Sequence, residues 1–218
     1  MPHKVIVAGA TGLVGSLLLE QLLHHPEFSE VLVLVRKQLP FQHEKLKQLV
    51  VNFDHLEDYQ AQINGDAIFS CLGTTRQKTP DLNLYRKIDH DYPVELAKIG
   101  AKNSIPQFHI VSSVGANSNS FVFYTRLKGE TEQDLKKTGL QSLYIYQPSF
   151  LTGNRKEKRF GERFGMKLAK LINLFLIGRL RKFQSISAAV VAKAMLNQSL
   201  KTNSGIFIYP SDQIKKLA

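Results

Sequence analysis

The chain opens on a short apolar run, Val5-Ile6-Val7-Ala8, followed by glycines at Gly9, Gly12 and Gly15 and an apolar helical pattern from Leu13 to Leu23. That succession reads as strand, glycine turn, helix. Val31 to Val35 is apolar at every position and rich in β-branched residues, as in a parallel strand covered on both faces. The alternation continues with a third strand over Gln48–Asn52, a short helix over Leu56–Gln62 and a fourth strand over Asp66–Gly73. A helix is expected from Leu84 to Lys102, with Val94, Ala97 and Ala101 facing inward, then a strand over Gln107–Ser112. The pattern next predicts a helix over Phe123–Lys137, with Gly139 suited to its C-cap, and a sixth strand over Leu140–Tyr146 broken by Gln147-Pro148-Ser149. Strands alternating with helices predict an α/β fold, a Rossmann-like doubly wound parallel sheet. Beyond Gly153 the pattern becomes basic and mainly helical. It ends in a helix over Ser187–Leu200, a strand over Ile206–Tyr209 and a short terminal helix. We therefore expect one domain over 1–218, with 150–218 as a small C-terminal elaboration on the substrate side.

Composition changes this picture in two places. The 218 residues, 43% hydrophobic, suffice for one substantial core. The N-terminus enters the first strand at once, leaving no room for a signal peptide, and the longest apolar run, around Leu171 to Ile177, is too short to span a bilayer. Cys71 is the single cysteine, so no intramolecular disulfide forms and a reducing compartment is expected, specifically the cytoplasm. The net charge of +11 is uneven: 155–182 holds ten Lys or Arg against two Glu, which is +8 and leaves +3 for the rest. In that segment Phe164, Leu168 and Leu171 share a helical stripe away from Arg163, Lys167 and Lys170, and 171–177 is apolar on nearly all sides. Such a stretch must bury, and we expect it to wall a substrate pocket. Competing readings are peripheral contact with an anionic membrane or an acidic protein partner. Specific nucleic-acid binding is disfavoured, since Phe160, Phe164 and Phe183 are the main interleaved aromatics. A monomer or homodimer is compatible with all of this.

Three features carry chemistry. Glycines between a strand and a helix N-terminus let backbone N–H groups and the helix dipole meet a pyrophosphate, although the Gly-x-x-Gly-x-x-Gly spacing differs from the commonest dinucleotide fingerprint. The blander alternative is glycines that serve packing alone. Arg36-Lys37 follows the second strand, 21 residues after Gly15, where an acidic residue would bind ribose hydroxyls. A guanidinium there can fork onto a 2′-phosphate, so NADP(H) is expected over NAD(H), the alternative being a solvated strand end. Third, Ser112-Ser113 ends the fifth strand, and Tyr124 and Lys128 lie at i and i+4 on one helix face. A lysine ammonium beside a phenol favours the phenolate, and the tyrosine can then exchange a proton with a carbonyl oxygen that a serine holds. Cys71 reads as a small apolar residue, His109 as an ordinary core or edge residue, and the histidines carry no metal-ligand spacing, so no metal is expected.

These motifs, together with Cys71-Leu-Gly-Thr-Thr-Arg76, Asp89-His90-Asp91-Tyr92 and Ala194-Met195-Leu196-Asn197, resemble the atypical short-chain dehydrogenase/reductases, most closely the Tat-interacting-protein-like oxidoreductases. The resemblance covers most of the chain. It implies that Gly9, Thr11, Gly12, Leu13, Val14 and Gly15 surround the pyrophosphate and that Arg36 and Lys37 meet the adenosine phosphate. It further implies that Leu72, Gly73 and Thr74 pass along the cofactor, that Pro148 and Ser149 border the nicotinamide, and that Ser113, Tyr124 and Lys128 form the catalytic triad. Tyr124 and Lys128 then also touch the cofactor. The serine-to-tyrosine interval is shorter than in the commonest reductases, so Ser112 and Ser113 both stand as candidates. No Asn occupies the usual helix position near Asp89. Two functions follow: an NADPH-dependent oxidoreductase acting on a carbonyl of a small-molecule substrate, or a non-catalytic NADP(H) sensor that binds a protein partner.

Overall fold

The computed structural model describes residues 2–153 and 178–218. The expected amphipathic and apolar stretches over 161–177, and most of the basic segment, lie outside the described residues. Seven parallel strands form one sheet in the order β3-β2-β1-β4-β5-β6-β9, built from β1 (His3–Ala8), β2 (Phe28–Val35), β3 (Leu46–Val50), β4 (Ala67–Ser70), β5 (Gln107–Val111), β6 (Ser142–Gln147) and β9 (Gly205–Pro210). β7 (Leu151–Thr152) and β8 (Ile186–Ser187) make a separate parallel pair.

Because β-strand side chains alternate between faces, a strand apolar throughout supplies two cores. Val5 and Val7 pack with Leu18, Leu22, Val33, Phe69, Val191 and Met195 on one side, under α1 (Leu13–His24), α5 (Ala188–Ser199) and α6 (Ser211–Leu217). Ile6 and Ala8 pack with Leu34, Ile68, Leu96, Phe108 and Ile145 on the other, under α3 (Tyr92–Lys102) and α4 (Phe123–Leu135). The expected Rossmann-like α/β fold is therefore the one observed. Beyond the basic segment the chain rejoins it: β9 pairs with β6 as the seventh strand, and α5 lies against the same core as α1.

Boundaries differ where side chains compete for the backbone. The third strand sits two residues earlier than predicted, over Leu46–Val50, because Asn52 caps the 3-10 turn of Phe53–Gln62, its Oδ1 accepting from Asp54 N at 3.1 Å. The predicted Leu84–Lys102 helix is three pieces: α2 (Leu82–Arg86), a π-wound turn over Lys87–Asp91, and α3. α2 starts early because Asp81 Oδ1 accepts from Asn83 N at 2.9 Å. The wide turn precedes Pro93, which has no N–H to return to the Asp89 carbonyl four residues back. That carbonyl instead accepts from Thr131 Oγ1 of α4 at 3.1 Å.

Candidate functional site at the carboxyl ends of the strands

The strand order reverses between β1 and β4, so a crevice opens there at their carboxyl ends. Cys71 N donates to Ala8 O at 2.8 Å, which sets the loop after β4 beside the glycine turn. Gly9 has φ of +84°, and a Cβ on it would lie 2.5 Å from Cys71 O; a Cβ on Gly15 would collide with Gly9 O. Gly12 is the N-cap of α1 and no side chain caps that helix. Among the described residues, its first-turn N–H groups thus meet no side-chain acceptor, and they lie beside backbone that no Cβ shields. This cradle fits a pyrophosphate, with Thr11, Leu13 and Val14 completing the turn. Arg36 and Lys37 are exposed in the bend that ends β2.

α4 supplies the second half. Tyr124, in its first turn, is 39% exposed, whereas Lys128, one turn on, is buried at 4%. Next to Lys128 stands Gly129, where a Cβ would collide with Ser118 N and Asn117; its absence lets the loop that follows Ser113 run against the helix. Val114 N donates to Pro148 O at 3.0 Å, joining that loop to Pro148-Ser149.

The two serines are put to different uses. Ser112 is buried and its Oγ donates to Glu132 Oε1, while Gln147 Nε2 donates to the same carboxylate at 2.9 and 3.0 Å. Ser113 is half-buried, with Oγ on Val114 O at 3.2 Å. Ser149 is held on both sides: its N donates to Ser211 Oγ at 2.7 Å and its Oγ to Gln184 O. Leu72, Gly73 and Thr74 form the loop after β4, where Thr74 O accepts from Tyr85 Oη at 3.2 Å. Burial first, then Asp89 and Tyr124, hold the Tyr85 phenol well above its ordinary pKa.

Lys128 has a neighbour that the sequence does not show. The sequence presents its ammonium as a charge acting on Tyr124, but Nζ lies 2.9 Å from Asp89 Oδ1, a carboxylate 2% exposed. Burial alone would pull the lysine pKa down. Asp89 foremost, then Tyr124 and Glu132, outweigh burial and raise it. Asp89, Glu132 and Gln147 were not site candidates by sequence. The i, i+4, i+8 run of Tyr124, Lys128 and Glu132 on one helix face could have revealed Glu132. Burial of the Cys71 sulfur pushes its thiol up to about 12, which disfavours the thiolate. His109 is wholly buried.

The sequence profile of a family described as NAD(P)H-binding matches residues 9–199. The chain belongs to that family. Protein HTATIP2 of Rattus norvegicus is 31% identical over 207 residues, covering 93% of this chain and 83% of its own. Protein FMP52, mitochondrial, of Saccharomyces cerevisiae is 33% identical over 162 residues, covering 72% and 70%. Among solved structures, the oxidoreductase ylbE from Lactococcus lactis superposes with a TM-score of 0.69 at 22% identity over 98% of this chain and 94% of its own. The Bordetella bronchiseptica enzyme WbmG in complex with NAD and UDP gives 0.70 at 16%, covering 99% and 76%. At these identities the structures establish the fold alone. The resemblance to atypical short-chain dehydrogenase/reductases is borne out, and this family member has an NAD(P)-binding, oxidoreductase-like fold. The expected cytoplasmic location does not stand, because fungal relatives are mitochondrial by name. A lone cysteine argues for a reducing compartment but does not choose among them. Among the described residues no helix is long and apolar enough to cross a membrane.

Proposed function

We propose that this family member is an NADPH-dependent oxidoreductase of the short-chain type that reduces a carbonyl or similar group on a small molecule. The observation that carries the reading is the buried Lys128 one helical turn from a half-exposed Tyr124, on an α4 held by Gly129 against the loop of Ser113. When bound, the cofactor would supply the hydride. Gly9, Thr11, Gly12, Leu13, Val14 and Gly15 would hold its pyrophosphate, Leu72-Gly73-Thr74 would run beside it, and Pro148-Ser149 would border its nicotinamide. Arg36, with Lys37, would pair with the 2′-phosphate. Tyr124 would give its proton to the carbonyl oxygen while Ser113 donates a hydrogen bond to that oxygen. Ser112, committed to Glu132, is the less suited serine.

One observation favours the second reading, a cofactor sensor without turnover: Asp89 already matches the Lys128 charge, so less of it is left to act on Tyr124. Two measurements decide. Titration with NADPH and NADH should show a preference for NADPH that Arg36→Ala removes, a loss of about 1.5–3 kcal/mol or roughly ten- to a hundredfold in affinity. Equal wild-type affinity for both cofactors overturns the NADPH assignment. On any substrate found, Tyr124→Phe should abolish turnover and spare binding; full retained activity removes Tyr124 from the chemistry and leaves the sensor.

A further inference from the structure

Asp89 stands 39 residues before Lys128 in the chain, yet its carboxylate is the group that meets the buried ammonium. Its two oxygens do separate things. Oδ1 lies 2.9 Å from Lys128 Nζ, and Oδ2 accepts the Thr74 N–H at 2.8 Å. Its own carbonyl accepts from Thr131 Oγ1, so α4 grips the residue by backbone as well as by side chain. The π-wound turn before Pro93 is what carries the carboxylate inward at this point.

We propose that Asp89 is a positioning residue that keeps Lys128 charged and in place and sets the Leu72–Thr74 loop against it, so that cofactor affinity depends on Asp89 through Lys128. The inference rests on the cofactor-binding part of the reading above. The other groups facing Lys128 do not substitute for it. Tyr124 is a neutral phenol when it is to act as an acid. Glu132, on α4 itself, accepts from Ser112 and Gln147 and adds a smaller charge effect on Lys128 than Asp89 does. Tyr85, from α2, faces Asp89 and donates to Thr74 O. Without the carboxylate an ammonium this buried is penalised, and the amine would shed its proton well below the ordinary lysine range. Asp89→Asn is nearly isosteric and keeps an oxygen for Thr74 N–H, so it removes charge with little change of shape.

The test uses the whole chain. Lysine labelled with 13C at Cε, with Lys128 assigned by Lys128→Arg, is titrated by NMR from neutral to alkaline pH with no cofactor present. We expect Lys128 to stay charged through the lysine range in the wild type and to lose its proton about one pH unit or more lower in Asp89→Asn. NADPH titration should show Asp89→Asn binding about tenfold more weakly, and Asp89→Asn/Lys128→Met no more weakly than Lys128→Met alone. An unchanged Lys128 titration, or additive losses in the double variant, overturns the proposal. If Asp89→Asn does not fold, the double variant, which removes both charges together, should recover folding if the aspartate acts through the lysine; failure to recover counts against it. A wild type that binds neither NADPH nor NADH sinks the cofactor reading, while the lysine titration still decides whether Asp89 holds Lys128.

Discussion

Two fully buried ionisable side chains, on opposite faces of the sheet, end in opposite states. Lys128 on α4 faces Asp89 at 2.9 Å and is held charged, its pKa raised despite burial. His109 on β5 is stacked on Tyr144, ring centroids 4.4 Å apart, and burial lowers its pKa to about 3. Its partners explain the difference. Gln107 Nε2 donates to Lys201 O at 2.8 Å, which leaves Gln107 Oε1 to accept from His109 Nε2–H at 3.0 Å. Nδ1 then accepts from the Tyr146 hydroxyl at 3.1 Å. Every partner is neutral, and so is the ring. Burial opposes charge at both places; a carboxylate within contact reverses the outcome at one of them.

The comparison breaks most visibly at the lysine. Lys128→Met leaves Asp89 buried without its cation, and we expect a loss of about 3–5 kcal/mol of stability, read by denaturant unfolding near neutral pH. A loss under 1 kcal/mol, on the order of an exposed pair, would show that the pair is solvated.

Acid tests the other side. The folded pKa of His109 lies below the unfolded value near 6.5, so the unfolded chain binds the extra proton between those limits. Stability from this residue is complete above about pH 6.5 and is lost as pH falls toward about 3, by roughly 2 kcal/mol at pH 5. His109→Phe, which keeps the stack, should flatten that part of the stability profile. An equally steep profile in the variant would mean that other groups produce it.

The smallest effect sharpens the tautomer. Tyr146→Phe removes the donor to Nδ1 and should cost about 1 kcal/mol at neutral pH, checked by the shift in thermal or denaturant midpoint. Direct observation by 15N NMR should find the proton on Nε2, and a proton on Nδ1 would reverse the hydrogen-bond directions assigned to Gln107 and Tyr146.

The two ends of the site were unequally legible for a related reason. The glycine-turn end is made of backbone over seven consecutive residues, Gly9 to Gly15, and backbone demands such as the positive φ of Gly9 act on residue identity at the position itself. The other end is made of side chains from the loop after β4, the π-wound turn, α4 and the end of β5. Tyr124 and Lys128 were visible because a helix brings i and i+4 together, but nothing local to Asp89 announces a lysine 39 residues away. The same holds for the serines: adjacent in sequence, they were separated when Glu132, itself held by Gln147, engaged Ser112.

By itself, then, the sequence determined the order of strands and helices, the doubly wound class and the glycine turn, since hydrophobic period and backbone freedom are properties of short windows. Tertiary structure alone decided that the Leu84–Lys102 stretch breaks into a π-wound turn, that β9 completes the sheet beside β6, and that the buried lysine is paired while the buried histidine is neutral. A buried group's charge is set by what lies within a few ångströms of it, and folding brings those neighbours from distant parts of the chain.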